Sequence, residues 1–221
     1  MQDLGTFHNF GALWVRVLDE IEKHGVVTAY TDNAGEQAEV KELFGLTAKI
    51  QNASLPDKII ERHKVPAEYD WMVRNFTVQG EVPELHHEHS YASRLYSYMG
   101  QKNQVEWLVD RLKNNPHTRS ATISMFEPLT DEGYIPCVSL LDFQETNGNL
   151  HMIAYCRALD FGSKAYINLV MLHLLQKEIA EKVGMKCGTL TLIVKSAHFY
   201  LRDAEKVQSI LCEEGFASPS E

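Results

Sequence analysis

The dipeptide Asn147-Gly148 stands between two apolar runs, Val138–Phe143 and Leu150–Cys156. Asn followed by Gly tolerates two left-handed backbone positions in a row, the requirement of the tightest two-residue hairpin turn. The two runs are therefore expected to pair as antiparallel strands. Beyond them, Lys164–Val183 keeps helical spacing along its length and stops at Gly184, and Thr189–Val194 reads as a further strand. Strand, turn, strand, long helix and strand together predict an α+β fold, a mostly antiparallel sheet with helices packed against it.

The rest of the chain fits that expectation. Residues 8–24 place Phe10, Leu13, Trp14, Val17, Leu18 and Ile21 on one helical stripe, with Gly25 as the C-cap. Val26–Tyr30 and Phe44–Ile50 read as strands, with Thr31–Gln37 a polar loop between them. Asn52–Lys64 is expected to be loop with a short helix, punctuated by Pro56 and Pro66. Ala67–Val73 predicts a helix with Tyr69, Trp71 and Met72 turned inward. A polar, histidine-rich stretch, Gln79–Ser90, precedes the aromatic Tyr91–Tyr98, which contains Arg94. Gln104–Asn115 is amphipathic and ends at Pro116, Ala121–Phe126 is strand-like, and Asp203–Leu211 predicts a terminal helix. With no internal repeat or low-complexity linker, residues 1–221 read as one domain.

At 221 residues and 44% hydrophobic, the chain can bury one sizeable core. A net charge of −9 argues against a nucleic-acid groove or an anionic membrane surface. A nucleotide is still accommodated, because it needs only a local cluster of arginines. No apolar run reaches the roughly 18–20 residues of a membrane span. Met1–Gly5 lacks the basic and apolar regions of a signal peptide, so a cytoplasmic location is expected. Cys137, Cys156, Cys187 and Cys212 form no Cys-x-x-Cys pair and read as reduced thiols. His86-His87-Glu88-His89 has the residue types of a zinc site, but adjacent histidines in a polar loop without partner spacing elsewhere read as a solvated segment, and no metal is expected.

The residues that carry chemistry are ordered around one thiol. Cys137 follows Pro136, and Arg157, Asp160, Asn168, His198 and Tyr200 lie 20, 23, 31, 61 and 63 residues beyond it. A lone cysteine on a strand is ordinarily a buried structural thiol; an arginine ending an apolar strand needs an anionic partner. In this order, Pro136-Cys137, Arg157-Ala158-Leu159-Asp160, Asn168 and His198-Phe199-Tyr200 resemble the thymidylate synthase superfamily, short archaeal-type members included: its Pro-Cys nucleophile, Arg-Ser-x-Asp phosphate turn, base-reading Asn and ribose-holding His-x-Tyr. Glu68-Tyr69-Asp70-Trp71-Met72 resembles the segment carrying the family's acid–base glutamate, and Tyr91-Ala92-Ser93-Arg94-Leu95 its Tyr-Gly-x-x-Leu segment.

The resemblance implies that Cys137 adds to C6 of a pyrimidine, making C5 able to attack a one-carbon electrophile. It implies that Arg157 binds the nucleotide phosphate and, as a cation, lowers the thiol pKa. Asp160 would brace the turn and contact the base, Asn168 would pair with a uracil edge or, its amide flipped, cytosine. Glu68 would relay protons at O4, and His198 and Tyr200 would bind the ribose. Arg119 matches the first of the family's paired arginines, which reach the phosphate of a neighbouring subunit; Ser120 replaces the second. The implied assembly is a homodimer joined through a sheet face, and the implied cosubstrate is 5,10-methylenetetrahydrofolate or a related methylene-pterin. The implied reaction is folate-dependent one-carbon transfer to C5 of a pyrimidine nucleoside monophosphate, dUMP methylation; the alternatives are 5-hydroxymethylation of CMP, dCMP or dUMP, or a catalytically silent nucleotide binder. Departures fall on the phosphate and folate sites. Thr31–Gln37 holds no Arg-Thr-Gly-Thr-Gly loop, Ala158 replaces the turn's serine, and twenty-one residues follow Tyr200, too few for the folate-closing tail.

Overall fold

The computed structural model describes residues 1–31, 37–85 and 88–216. In chain order the elements are β1 (Gln2–Phe7), α1 (Phe10–His24), β2 (Val26–Thr31), β3 (Gln37–Ile50), α2 (Lys58–His63), α3 (Pro66–Thr77), α4 (Tyr91–Tyr96), α5 (Gln104–Asn114), β4 (Thr122–Ser124), β5 (Val138–Thr146), β6 (Asn149–Asp160), α6 (Ala165–Val183), β7 (Lys186–Tyr200) and α7 (Ala204–Glu213). The strands form one sheet ordered β1-β3-β7-β6-β5-β4, with β2 also paired to β3. The β1–β3 and β6–β7 ladders are parallel and the other four antiparallel, so the sheet is mostly antiparallel and the α+β expectation holds.

The β5–β6 hairpin turns on Asn147 (φ 53°) and Gly148 (φ 77°), both left-handed as that dipeptide favours. α1 begins at Asn9, whose side chain accepts from the Ala12 N–H, and buries the expected stripe, with Phe10, Leu13, Trp14, Val17, Leu18 and Ile21 fully covered. α6 is apolar nearly all round because it lies in the core, and it ends at Gly184 with φ 74°, the left-handed C-cap. Gln176 pins this helix by donating from Nε2 to the Leu150 carbonyl at 2.8 Å.

Among the elements that differ from the sequence reading are β1 and β3. β1 is a strand although half of its residues are polar and exposed; it forms because β3 offers it a parallel edge. β3 starts at Gln37, well before Phe44, because the polar stretch Gln37–Leu43 pairs with β2 on one side and, from Val40, with β7 on the other. Of the loop expected at Thr31–Gln37, both ends are paired strand residues and 32–36 lie outside the described residues. Of the histidine cluster, His86 and His87 also lie outside them, and His89 Nδ1 sits 2.6 Å from Glu127. No described helix is long and apolar enough to cross a membrane.

A change of burial parity positions the site. Along β6 the covered side chains are Leu150, Met152, Ala154 and Cys156, then Leu159; along β7 they are Leu190, Leu192 and Val194, then Ala197 and Phe199. Cys156 pairs with Val194 and Leu159 with Ala197, so both strands switch at the same level. The switch leaves Asp160, Ser196, His198 and Tyr200 half-buried rather than in the core.

Candidate functional site

The peptide of Cys137 is held from both sides. Its carbonyl accepts the Arg157 N–H at 2.7 Å, the Arg157 Nη2 donates to the Ile135 carbonyl at 2.8 Å, and the next N–H, that of Val138, donates to Tyr91 Oη at 3.1 Å. These bonds fix a half-buried thiol beside a guanidinium whose buried Nε has no partner among the described residues. Burial pushes the Cys137 thiol above its usual range, although Arg157 and Lys164 pull it down. The cation thus acts in the direction that charge alone requires, but desolvation outweighs it, contrary to the expectation of a net lowered thiol.

Asp160 ends β6, where Phe161 N–H donates to the His198 carbonyl at 2.7 Å and Trp14 Nε1 donates to the Phe161 carbonyl at 2.7 Å. The turn is therefore clamped between β7 and α1. Burial raises the Asp160 carboxyl from 3.8 to about 6; Lys164 opposes the rise, and Asp203 and Glu68 add to it. Glu68 lies in the first turn of α3, whose start is tied to α6 by the Val65 N–H donating to Tyr166 Oη at 3.1 Å. Asn168, in the first turns of α6, is 4% exposed; its Nδ2 donates to the Lys164 carbonyl at 3.0 Å. That bond orients the amide, because a flip would set oxygen against oxygen. The amide flip that the sequence left open is therefore disfavoured here.

Glu68 Oε2, Arg157 Nε, Asp160 Oδ1 and Asn168 Oδ1 are four of the six buried side-chain polar atoms that lack a partner among the described residues. Buried polar atoms are normally paired, so each of these orphans is an atom that a polar ligand could satisfy. His198 joins the group through the ladders: it pairs with Asp160 on β6 and Glu42 on β3. Its ring meets Tyr200 edge-on at 5.7 Å, and burial lowers its pKa.

Arg119 is not brought to this cluster. It is exposed and lines a shallow recess of about 630 Å³ on the opposite, open face of the sheet, with Lys49, Gln144, His151 and Thr191. Conversely, sequence reading passed over Lys164. This half-buried lysine occupies the N-cap position of α6 without a side-chain capping bond, its Nζ lies 5.6 Å from the Trp71 ring centroid, and its charge acts on Cys137, Asp160 and His198. A signal was available, since a cation at a helix N-terminus opposes the dipole and needs a reason to be there. Glu42 was also missed; it was placed ahead of the expected strand, where a polar residue attracts no notice.

A thiol, two carboxyls, two cations and a carboxamide, four of these side chains holding a buried polar atom without a partner among the described residues, are the groups that nucleophilic attack on a polar, anionic substrate would use. A family model described as thymidylate synthase matches residues 36–220, and the chain belongs to the thymidylate synthase family; it is a one-carbon transferase. Among its relatives is a protein of Methanosarcina mazei named "Putative thymidylate synthase", 31% identical over 212 residues that cover 92% of each chain. A Methanosarcina barkeri protein of the same name is 32% identical over 90% of this chain and 89% of its own. The thymidylate synthase of Varicella-zoster virus is 34% identical over 110 residues, 48% of this chain and 36% of the viral one.

Proposed function

We propose that the protein methylates dUMP at C5, taking the one-carbon unit from 5,10-methylenetetrahydrofolate or a related methylene-pterin. The observation that carries the reading is that Glu68, Arg157, Asp160 and Asn168 each hold a buried polar atom without a partner among the described residues, while the charges of Arg157 and Asp160 act on the Cys137 thiol. In this reading Cys137 adds to C6, with the charges of Arg157 and Lys164 favouring its thiolate. Arg157 holds the phosphate with its free Nε. Asn168 Oδ1 accepts from N3–H of uracil, and the second hydrogen on Nδ2 is left for O4. Glu68, reaching O4 through water, and Asp160, against the base, carry the proton steps. His198 and Tyr200 hold the sugar. The half-buried rings of Trp71 and Tyr134 stand near Lys164 and Cys137 and offer flat apolar surface to a pterin. The reduced folate, when bound, supplies both the carbon and the hydride.

The phosphate site is completed across a two-fold interface in this reading. The open sheet face carries Leu140, Ile153 and Tyr155, each more than a third exposed, beside the recess that holds Arg119. A second copy seated on that face covers the apolar patch and delivers Arg119 in trans.

Tritium release from C5-labelled dUMP tests the attack, and mass spectrometry of the product tests the fate of the carbon. A gain of about 14 Da with dihydrofolate formed is expected for hydride transfer. A gain of about 30 Da without folate oxidation would replace methylation by hydroxymethylation, with water as the acceptor. Binding without tritium release would reduce the protein to a nucleotide binder.

A further inference from the structure

Glu42 and Ser196 take no part in the reaction as described, yet they form a hydrogen-bonded group with His198. Glu42 projects from β3 opposite His198 of β7. Thr28 Oγ1 donates to its Oε1 at 2.8 Å, and Ser196 Oγ donates to its Oε2 at 2.6 Å. The Ser196 oxygen in turn lies 3.4 Å from His198 Nδ1. Burial alone would raise the Glu42 carboxyl, but these two hydroxyls hold it below its usual value, so it stays an acceptor at neutral pH.

The proton count then has one solution. A serine hydroxyl has a single hydrogen, and here it is committed to a carboxylate that has none to give back. Toward His198 the hydroxyl can only accept, so Nδ1 must carry the ring hydrogen. The ring is otherwise kept neutral: burial, with Arg157 of β6 and Lys164 at the start of α6 repelling a positive charge, outweighs its hydrogen bond to the Ser196 backbone and the charge of Glu42, and Asp160 is the cross-strand acidic neighbour. A neutral imidazole protonated at Nδ1 leaves Nε2 with a free lone pair.

We propose that Glu42 is a positioning residue that, through Ser196, locks His198 in the Nδ1–H tautomer, so that Nε2 presents an acceptor to a sugar hydroxyl. The sugar half of this inference rests on the nucleotide reading of the site; the tautomer half does not. An acceptor at that place recognises a hydroxyl donor and nothing that lacks one, which makes the ribose hydroxyl a requirement for binding rather than a tolerated feature.

The test starts with the free, full-length protein. Long-range 15N–1H correlation of the His198 ring at pH 7 should show a pyrrole-type Nδ1 and a pyridine-type Nε2. Glu42→Ala releases the serine hydrogen to donate to Nδ1, so a large share of the ring should move to the Nε2–H form; Ser196→Ala should loosen the same preference and serves if the first variant folds poorly. A wild-type ring protonated at Nε2, or a tautomer unchanged in both folded variants, overturns the relay. For the sugar half, wild type should bind dUMP about tenfold or more tighter than 2′,3′-dideoxy-UMP, and Glu42→Ala should narrow that gap to about threefold or less. Equal affinities in wild type overturn the sugar assignment. An Nδ1–H ring in a protein that binds neither nucleotide upholds the relay and overturns the nucleotide reading instead.

Discussion

At Cys137 two effects compete, and their balance is measurable. Burial holds the thiol protonated, while Arg157 and Lys164 favour the thiolate. The rate of iodoacetamide alkylation should therefore rise with pH through a midpoint above the ordinary thiol value of 9.0. Arg157→Met should move that midpoint higher still; a midpoint lowered by the substitution would contradict the balance. Cys137→Ala should keep its fold and lose C5 tritium exchange by about a thousandfold or more, roughly 4 kcal/mol of barrier. Asp160 supplies a second residue-scale prediction. Its carboxyl is raised from 3.8 to about 6, so between those values the folded protein keeps a proton that the unfolded chain has released. Stability from this group is present below pH 3.8 and is lost as the pH rises to about 6. Asp160→Asn should accordingly stabilise the protein at pH 7 by about 1–3 kcal/mol while lowering activity, and the stability gain should vanish below pH 4. Denaturant melts at pH 7 and pH 4 check both signs.

At the scale of elements, one carboxylate joins two helices. Asp57 caps α2 with Oδ1, accepting from the Ile59 and Ile60 N–H groups, and with Oδ2 accepts the Gly11 N–H of α1 at 2.9 Å. The approach is close enough that a Cβ on Gly11 would fall 2.4 Å from the Ile59 Cβ and 2.7 Å from Asp57 Oδ1. Gly11→Ala should cost about 1–3 kcal/mol by forcing α1 and α2 apart, read as a lowered urea midpoint with the slope unchanged. Gly133→Ala, where nothing lies within 4 Å, is the control and should be near neutral. α1, α6 and the β5–β6 hairpin were legible in the sequence because each carries its own signal: a stripe with a cap, an apolar run closed by glycine, an Asn-Gly turn. β1 and the first half of β3 were not, because β1 pairs with β3 and β3 with β7, both distant in the chain, and neither segment carries a clear alternation of buried and exposed residues.

At the scale of the molecule, helices cover one face of the sheet, and the other face exposes Leu140, Ile153 and Tyr155. If a second copy covers that face as proposed, sedimentation should show a dimer that Tyr155→Glu weakens by tenfold or more, about 1.4 kcal/mol. Arg119→Glu and Cys137→Ala subunits, each inactive alone, should regain activity when mixed, because one heterodimer site then holds both native groups. Heterodimers that form and stay inactive would show that Arg119 does not act across the interface.

The sequence by itself determined the α+β class, the hairpin, the two long helices and the order of the polar residues, since all of these are written in local spacing and residue type. Tertiary structure decided which of those residues meet. Continued alternation from Leu190, Leu192 and Val194 would have buried Ser196, His198 and Tyr200; the shared switch in β6 and β7 buries Ala197 and Phe199 instead. It also decided that Lys164 and Glu42 stand beside the site and that Arg119 stands away from it. The reason is physical: a change of strand parity, a cross-strand partner and a desolvated charge are properties of neighbours far apart in the chain, and no local pattern records them.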